Sequence, residues 1–166
     1  MRYRNRIIAG VIILAVIFAA LYFIPVRRNI DKSMPCVAWD VENPTVGDAE
    51  GIAIKGRYYD YLLRDDDYFV GKVIISDLNS EAEVSNVKLL FSDVKIVGGK
   101  QCLLHYFSSK YQKIYYVGSL FMDDLFDKVC IFVDNEKFYQ FDGKYISAPA
   151  ATVEEAVAIA ESMHLT

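Results

Sequence analysis

Residues that most often carry chemistry are scarce in this 166-residue chain, which holds two histidines, three cysteines and one tryptophan. With His105 and His164 alone, it has few groups that work as bases near neutral pH. Cys36, Cys102 and Cys130 contain no C-x-x-C pair. Their odd number excludes a disulfide framework, since at most one internal bridge forms, and they read as small buried apolar side chains. Cys102 and His105 stand three apart in a strand-like segment, so they fall on opposite faces and form no dyad. No serine sits in a G-x-S-x-G elbow, and no glycine-rich loop precedes a helix. Charge is missing altogether from Ile7 to Val26, and no basic cluster follows Lys32. The length excludes a large multidomain enzyme, and 10 Phe with 12 Tyr exclude a disordered tail.

What is present begins with that uncharged run. Of the 20 residues Ile7–Val26, 18 are apolar, and 13 are Ile, Leu, Val or Phe. As a helix rising about 1.5 Å per residue the run spans ~30 Å, the thickness of a bilayer's hydrocarbon core. It is longer than the 7–15-residue apolar region of a cleaved signal, and Phe18-Ala19-Ala20 is a poor cleavage site. No cysteine follows directly, as a lipoprotein would need. Ala15 and Ala19 form a weak small-xxx-small pair. We expect a cytoplasmic tail at 1–6, a transmembrane helix at 7–26 and a juxtamembrane linker at 27–34. Arg2, Arg4 and Arg6 precede the span; Arg27, Arg28 and Lys32 follow it. The α-amine tips this even count towards a cytoplasmic N-terminus, leaving the remainder outside. Beyond residue 32 there are 12 basic and 21 acidic residues, a net of −9. Such a domain is repelled by nucleic acid, which is excluded as a partner.

From residue 35 the chain alternates with the period of two that marks strands. Pro35–Glu42 carries Val37, Trp39 and Val41 on one face. Gly51–Leu63 and Tyr68–Ser76 follow, joined by a turn at Arg64-Asp65-Asp66-Asp67. Val87–Phe91 and Val94–Val97 come before a Gly98-Gly99 turn. Gln101–Phe107, Lys113–Phe121, Lys128–Asp134, Lys137–Phe141 and Lys144–Ser147 continue the pattern, with turns at Asn135-Glu136 and Asp142-Gly143. Connections this short make antiparallel neighbours. A helix at 152–163 closes the chain, with a Thr152/Glu155 capping box and Val153, Ala156, Val157, Ala160 and Met163 on one face. The expected fold is mainly β: an antiparallel meander or partly closed barrel at 35–166 with that helix packed on it. Tyr68–Val73 and Tyr115–Leu120 echo each other, each with a glycine fitted to a bulge or bend.

His105 shares a side with Leu103 and Phe107 and reads as a hydrogen-bonded structural residue, while His164 lies at the frayed end. Asp65-Asp66-Asp67, Asp123-Asp124 with Asp127, and Asp48 with Glu50 lack the D-x-[DN]-x-[DN]-G calcium pattern and read as solvated turns. The sequence calls for no metal, no cofactor and no catalytic set. Its surplus is tyrosine. Tyr58, Tyr59, Tyr61 and Tyr68 crowd one hairpin beside Arg57 and Arg64. Tyr and Arg are enriched at binding hot spots, so these six form the candidate binding surface.

Lys55–Leu62 leading to Asp67–Val73, with a short basic tail and one span before them and Ala148-Pro149-Ala150 then Glu155-Ala156 after, resembles small, uncharacterised membrane-anchored proteins of Gram-positive bacteria. The resemblance implies location and architecture, and transfers no site residues. The leading expectation is a non-enzymatic, single-pass, extracytoplasmic β-domain that binds a protein or envelope component. The alternatives are a lipocalin-like barrel holding an apolar ligand in an enclosed cavity, and an immunity-like or regulatory protein acting on a membrane partner.

Overall fold

The computed structural model describes residues 2–44, 47–64, 66–76, 87–90, 92–94, 99–108, 113–134 and 141–165. Helix α1 (Arg2–Phe23) contains an 18-residue apolar stretch, Arg6–Phe23, none of it buried within the protein. It is long and apolar enough to span a membrane. The helix ends because Pro25 lacks an N–H and forces Ile24 out of the helical region. Strand β1 (Val26–Asp40) starts at once. Residues 27–34, expected as a linker, are therefore strand: Arg27 to Met34 pair in register with Tyr59 to Ile52. Their polarity hides this, since only Ile30 among them is fully buried.

The other strands are β2 (Gly47–Asp60), β3 (Tyr68–Ile75), β4 (Val87–Leu90), β5 (Ser92–Val94), β6 (Gly99–Ser108), β7 (Lys113–Met122), β8 (Val129–Val133) and β9 (Lys144–Ala148). They form one antiparallel sheet in the order β4-β3-β2-β1-β9-β8-β7-β6-β5. Its two outer strands, β4 and β5, are separated in the chain by a single residue, so the sheet curls until its edges meet, and β4 also lies against β6. The result is the expected meander bent into a partly closed barrel. The β8–β9 connection ends at Gly143, whose φ of 75° suits a residue without a Cβ, and its N–H donates to the Val133 carbonyl at 3.0 Å. The expected turn at 135–136 and most of the strand at 137–141 lie outside the described residues, as do residues 95–97 of the expected strand at 94–97.

Inward-facing residues build the larger core. Ile52, Ile54, Phe69, Leu120, Phe126 and Ile131 are buried there, so side chains occupy the middle of the curl among the described residues. A second core lies outside the sheet, under helix α2 (Val153–Ser162), where Val37, Trp39, Cys130 and Ala150 meet Ala156, Ile159, Ala160 and Met163. The segment Cys36–Trp39 is consequently buried on both faces. Val37 and Trp39 share a face as expected, whereas Val41 lies past the strand end and is exposed. Trp39 Nε1 donates to Ser147 Oγ at 3.0 Å and its ring stacks on Tyr145. The cap half of the expected box is present, with the Glu155 N–H donating to Thr152 Oγ1 at 3.3 Å, but Glu155 Oε2 reaches one residue further back and accepts from the Ala151 N–H at 2.8 Å.

The two echoing glycines differ in purpose. At Gly118 the register slips, with Leu104 opposite Gly118 but His105 opposite Tyr116, leaving Val117 as the extra residue of a bulge. Gly71 instead faces Gly56 across β2–β3, and the Phe69 ring lies over the pair. A Cβ on Gly71 would stand 2.5 Å from Phe69 Cζ and 2.3 Å from the Lys55 carbonyl. Gly71→Ala should therefore cost about 1–3 kcal/mol, the usual penalty for overpacking a filled core. A urea midpoint equal to wild type would show that the ring and strand yield freely.

Candidate functional site at the helix-proximal rim

The end of the barrel nearest α1 is where β1, β3, β6 and β8 begin. The period of two carries three polar side chains inward there. Tyr58 is in step with Ile52 and Ile54, Asp67 with Phe69, and Lys100 with Cys102 and Leu104. Tyr58 OH donates to Asp67 Oδ2 at 2.9 Å, and Lys100 Nζ donates to Tyr58 OH at 2.8 Å while pairing directly with Asp67. The Tyr61 N–H donates to Asp67 Oδ1 at 2.7 Å. Asp67, only 5% exposed, thus accepts from three donors. Burial pulls the Lys100 ammonium down, but the hydrogen bonds to Asp67 and Tyr58 outweigh it and leave Lys100 above the ordinary lysine range. Burial pushes the Tyr58 phenol up, against the opposing pull of Lys100.

Beside this cluster lies a cleft of about 260 Å³. Arg28, Tyr58 and Asp60 form one wall; Lys100, Asp123 and Leu125 form the other. The second wall is fixed by the β7–β8 turn, where Asp123 Oδ1 accepts from the Lys128 N–H at 2.6 Å. Leu125 and Phe126 follow with φ of 55° and 62°, a left-handed conformation that is costly for bulky residues. That turn drives Phe126 into the interior, 5.0 Å from the Phe69 ring and edge-on to Tyr58, and leaves Leu125 on the cleft. Arg28 and Asp60 sit 3.8 Å apart along the first wall. The cleft therefore presents both signs of charge, held mostly in pairs.

Of the six residues expected to form a binding surface, five stay on the outside or at the turn, and Tyr58 turns inward. Tyr59 stacks on Tyr68 with ring centroids 4.5 Å apart. The Arg64 guanidinium lies 4.1 Å over the Tyr61 ring and 5.7 Å from that of Tyr22, in the last turn of α1. Arg57 is exposed on the outer face of β2, opposite Val70. Lys100, Arg28, Asp60 and Leu125 were missed by the sequence reading. For Lys100 a signal existed, because a charge two and four residues before buried Cys102 and Leu104 sits on an apolar face.

The chain matches no family model, no curated protein and no solved structure. The geometry alone carries the functional reading. His105 holds its backbone, with Nδ1 3.3 Å from the Leu103 carbonyl and its ring edge-on to Tyr116. The three cysteines are buried and free, with burial pushing each thiol up to about 12. Asp66 pairs with Arg64 at 2.8 Å. Among the described residues no group of three or more His, Cys, Asp or Glu is placed to hold a metal ion.

Proposed function

We propose that the chain is a single-pass membrane protein whose β-domain stands outside the cytoplasm and acts as a non-enzymatic binding module through the rim cleft. The apolar α1 supports the anchor, and the orientation taken is the one that leaves Arg2, Arg4 and Arg6 on the cytoplasmic side. The observation that carries the binding role is the Tyr58–Asp67–Lys100 cluster. Burying Asp67 and Tyr58, with Lys100 half-buried beside them, opposes folding unless each is satisfied, and here they satisfy one another. Such a cluster offers the cleft a fixed shape and field rather than an activated nucleophile. Among the described residues, no serine, cysteine or histidine lines that cleft. The matching partner is a protein or envelope component bearing a compact group with both charges.

Protease added to cells stripped of their wall should digest residues 27–166 and leave the anchor. Protection until the membrane is lysed would place the domain in the cytoplasm. With a photo-crosslinker at Leu125, one stoichiometric adduct is expected, lost in Arg28→Glu without change in thermal stability. An adduct indifferent to Arg28→Glu would remove the cleft from the binding role.

A further inference from the structure

We propose that the β2–β3 turn is a second membrane contact, whose Leu62-Leu63 tip enters the boundary between headgroups and acyl chains beside α1. The proposal rests on the reading of α1 as a bilayer span. Only Ile24 and Pro25 separate α1 from β1, so Val26 begins within roughly 10 Å of the helix end. Val26 pairs with Asp60, the last residue of β2, which sets the start of the turn at the same level. Arg64 then brings the turn back against the helix at Tyr22, one residue before the helix ends. The turn is therefore level with the end of the span.

Its chemistry fits that level. Leu62 and Leu63 are 54% and 43% exposed, an apolar pair at the tip of a turn where water would favour polar residues. Tyr22, Tyr59, Tyr61 and Tyr68 gather behind the tip, and tyrosine concentrates at membrane–water interfaces, where its ring is apolar and its hydroxyl wet. Arg64 lies along two of these rings, as an arginine does when its stem is in the interface and its head reaches outward. The acidic run in the same turn is not an obstacle at Asp66 or Asp67: Asp66 is paired with Arg64, and Asp67 points inward to Lys100. The partner is phospholipid itself, in the bilayer that holds the helix. The two contacts fix the tilt of the barrel and hold the rim cleft towards the membrane plane.

The test uses the full chain in phosphatidylcholine/phosphatidylglycerol nanodiscs, with an environment-sensitive fluorophore on Leu62→Cys, on Ile17→Cys within the span, or on Ile74→Cys on the outer face of β3. The native thiols are buried and do not compete for label. Lipids carrying a quencher near the headgroup, and others carrying it deep in the chains, are added in turn. Position 62 should be quenched by the shallow quencher more than by the deep one, position 17 the reverse, and position 74 by neither. If position 62 stays as bright as position 74 while position 17 is quenched, the span stands and the second contact is wrong. If position 17 is not quenched either, both fall together. Leu63→Cys repeats the measurement with the neighbouring side chain and should agree with position 62.

Discussion

At about pH 10–11 the β-domain is expected to unfold, well before its arginines titrate. The cause is its three buried thiols. Free cysteine ionises near pH 8.5, whereas burial holds Cys36, Cys102 and Cys130 up to about 12. Folded-state values above the unfolded ones mean that the native protein binds more protons across that window. The stabilisation is complete below the unfolded value and is lost as pH rises towards the folded one. Each thiol removes about 1.4 kcal/mol per pH unit, so three together remove ~4. Two such units remove ~8 kcal/mol, which exhausts a domain in the lower part of the usual range of roughly 5–15 kcal/mol. Tyr58 and Lys100 are shifted in the same direction and add to the slope only above about pH 10. Circular dichroism of the full chain in detergent, titrated upward from pH 7, gives the midpoint. Cys102→Ala and Cys130→Ala should each make the descent shallower. A slope unchanged in both would rule out the thiols as its source.

Lys100→Ala is expected to destabilise the domain by about 3–5 kcal/mol, the cost of leaving a buried charge without its partner. Asp67 would keep the Tyr58 hydroxyl and the Tyr61 N–H but lose its only cation among the described contacts. The neutral pair Lys100→Met with Asp67→Asn should recover most of the loss, because an amide oxygen still accepts from the Tyr61 N–H and no charge remains buried. Denaturant midpoints for the two single variants and the double variant measure the coupling. A Lys100→Ala loss below about 1 kcal/mol would mean that solvent already screens the pair as it does at a surface.

Much of the architecture was written in local patterns. The short connections between alternating segments implied antiparallel neighbours, and the sheet is a meander. Thr152 and Glu155 marked the helix start and occupy the cap. The first half of β1 escaped because its residues Arg27–Lys32 pair on one side only, with β2, and bury little beyond Ile30. A strand with two wet faces has no apolar alternation to read. The site was half legible for a related reason. Tyrosine and arginine density drew attention to the hairpin, but Lys100 reaches Tyr58 and Asp67 from 42 and 33 residues away. Closure of the curl makes that meeting, and no local period encodes it. The left-handed pair Leu125-Phe126 has no glycine to announce it.

With α1 as the proposed bilayer span and the β-domain as the proposed binding module, the passage between them through only Ile24 and Pro25 would limit where the domain looks for a partner. A long flexible stalk lets a module sample a hemisphere whose radius grows as the square root of stalk length. Here that radius shrinks to the size of the domain itself. Encounters then depend on lateral diffusion along a surface. A target resident in the same sheet of lipid is met at high effective concentration, while one standing tens of ångströms off the surface is not met at all. Lengthening the junction with glycine and serine would trade one population of targets for the other.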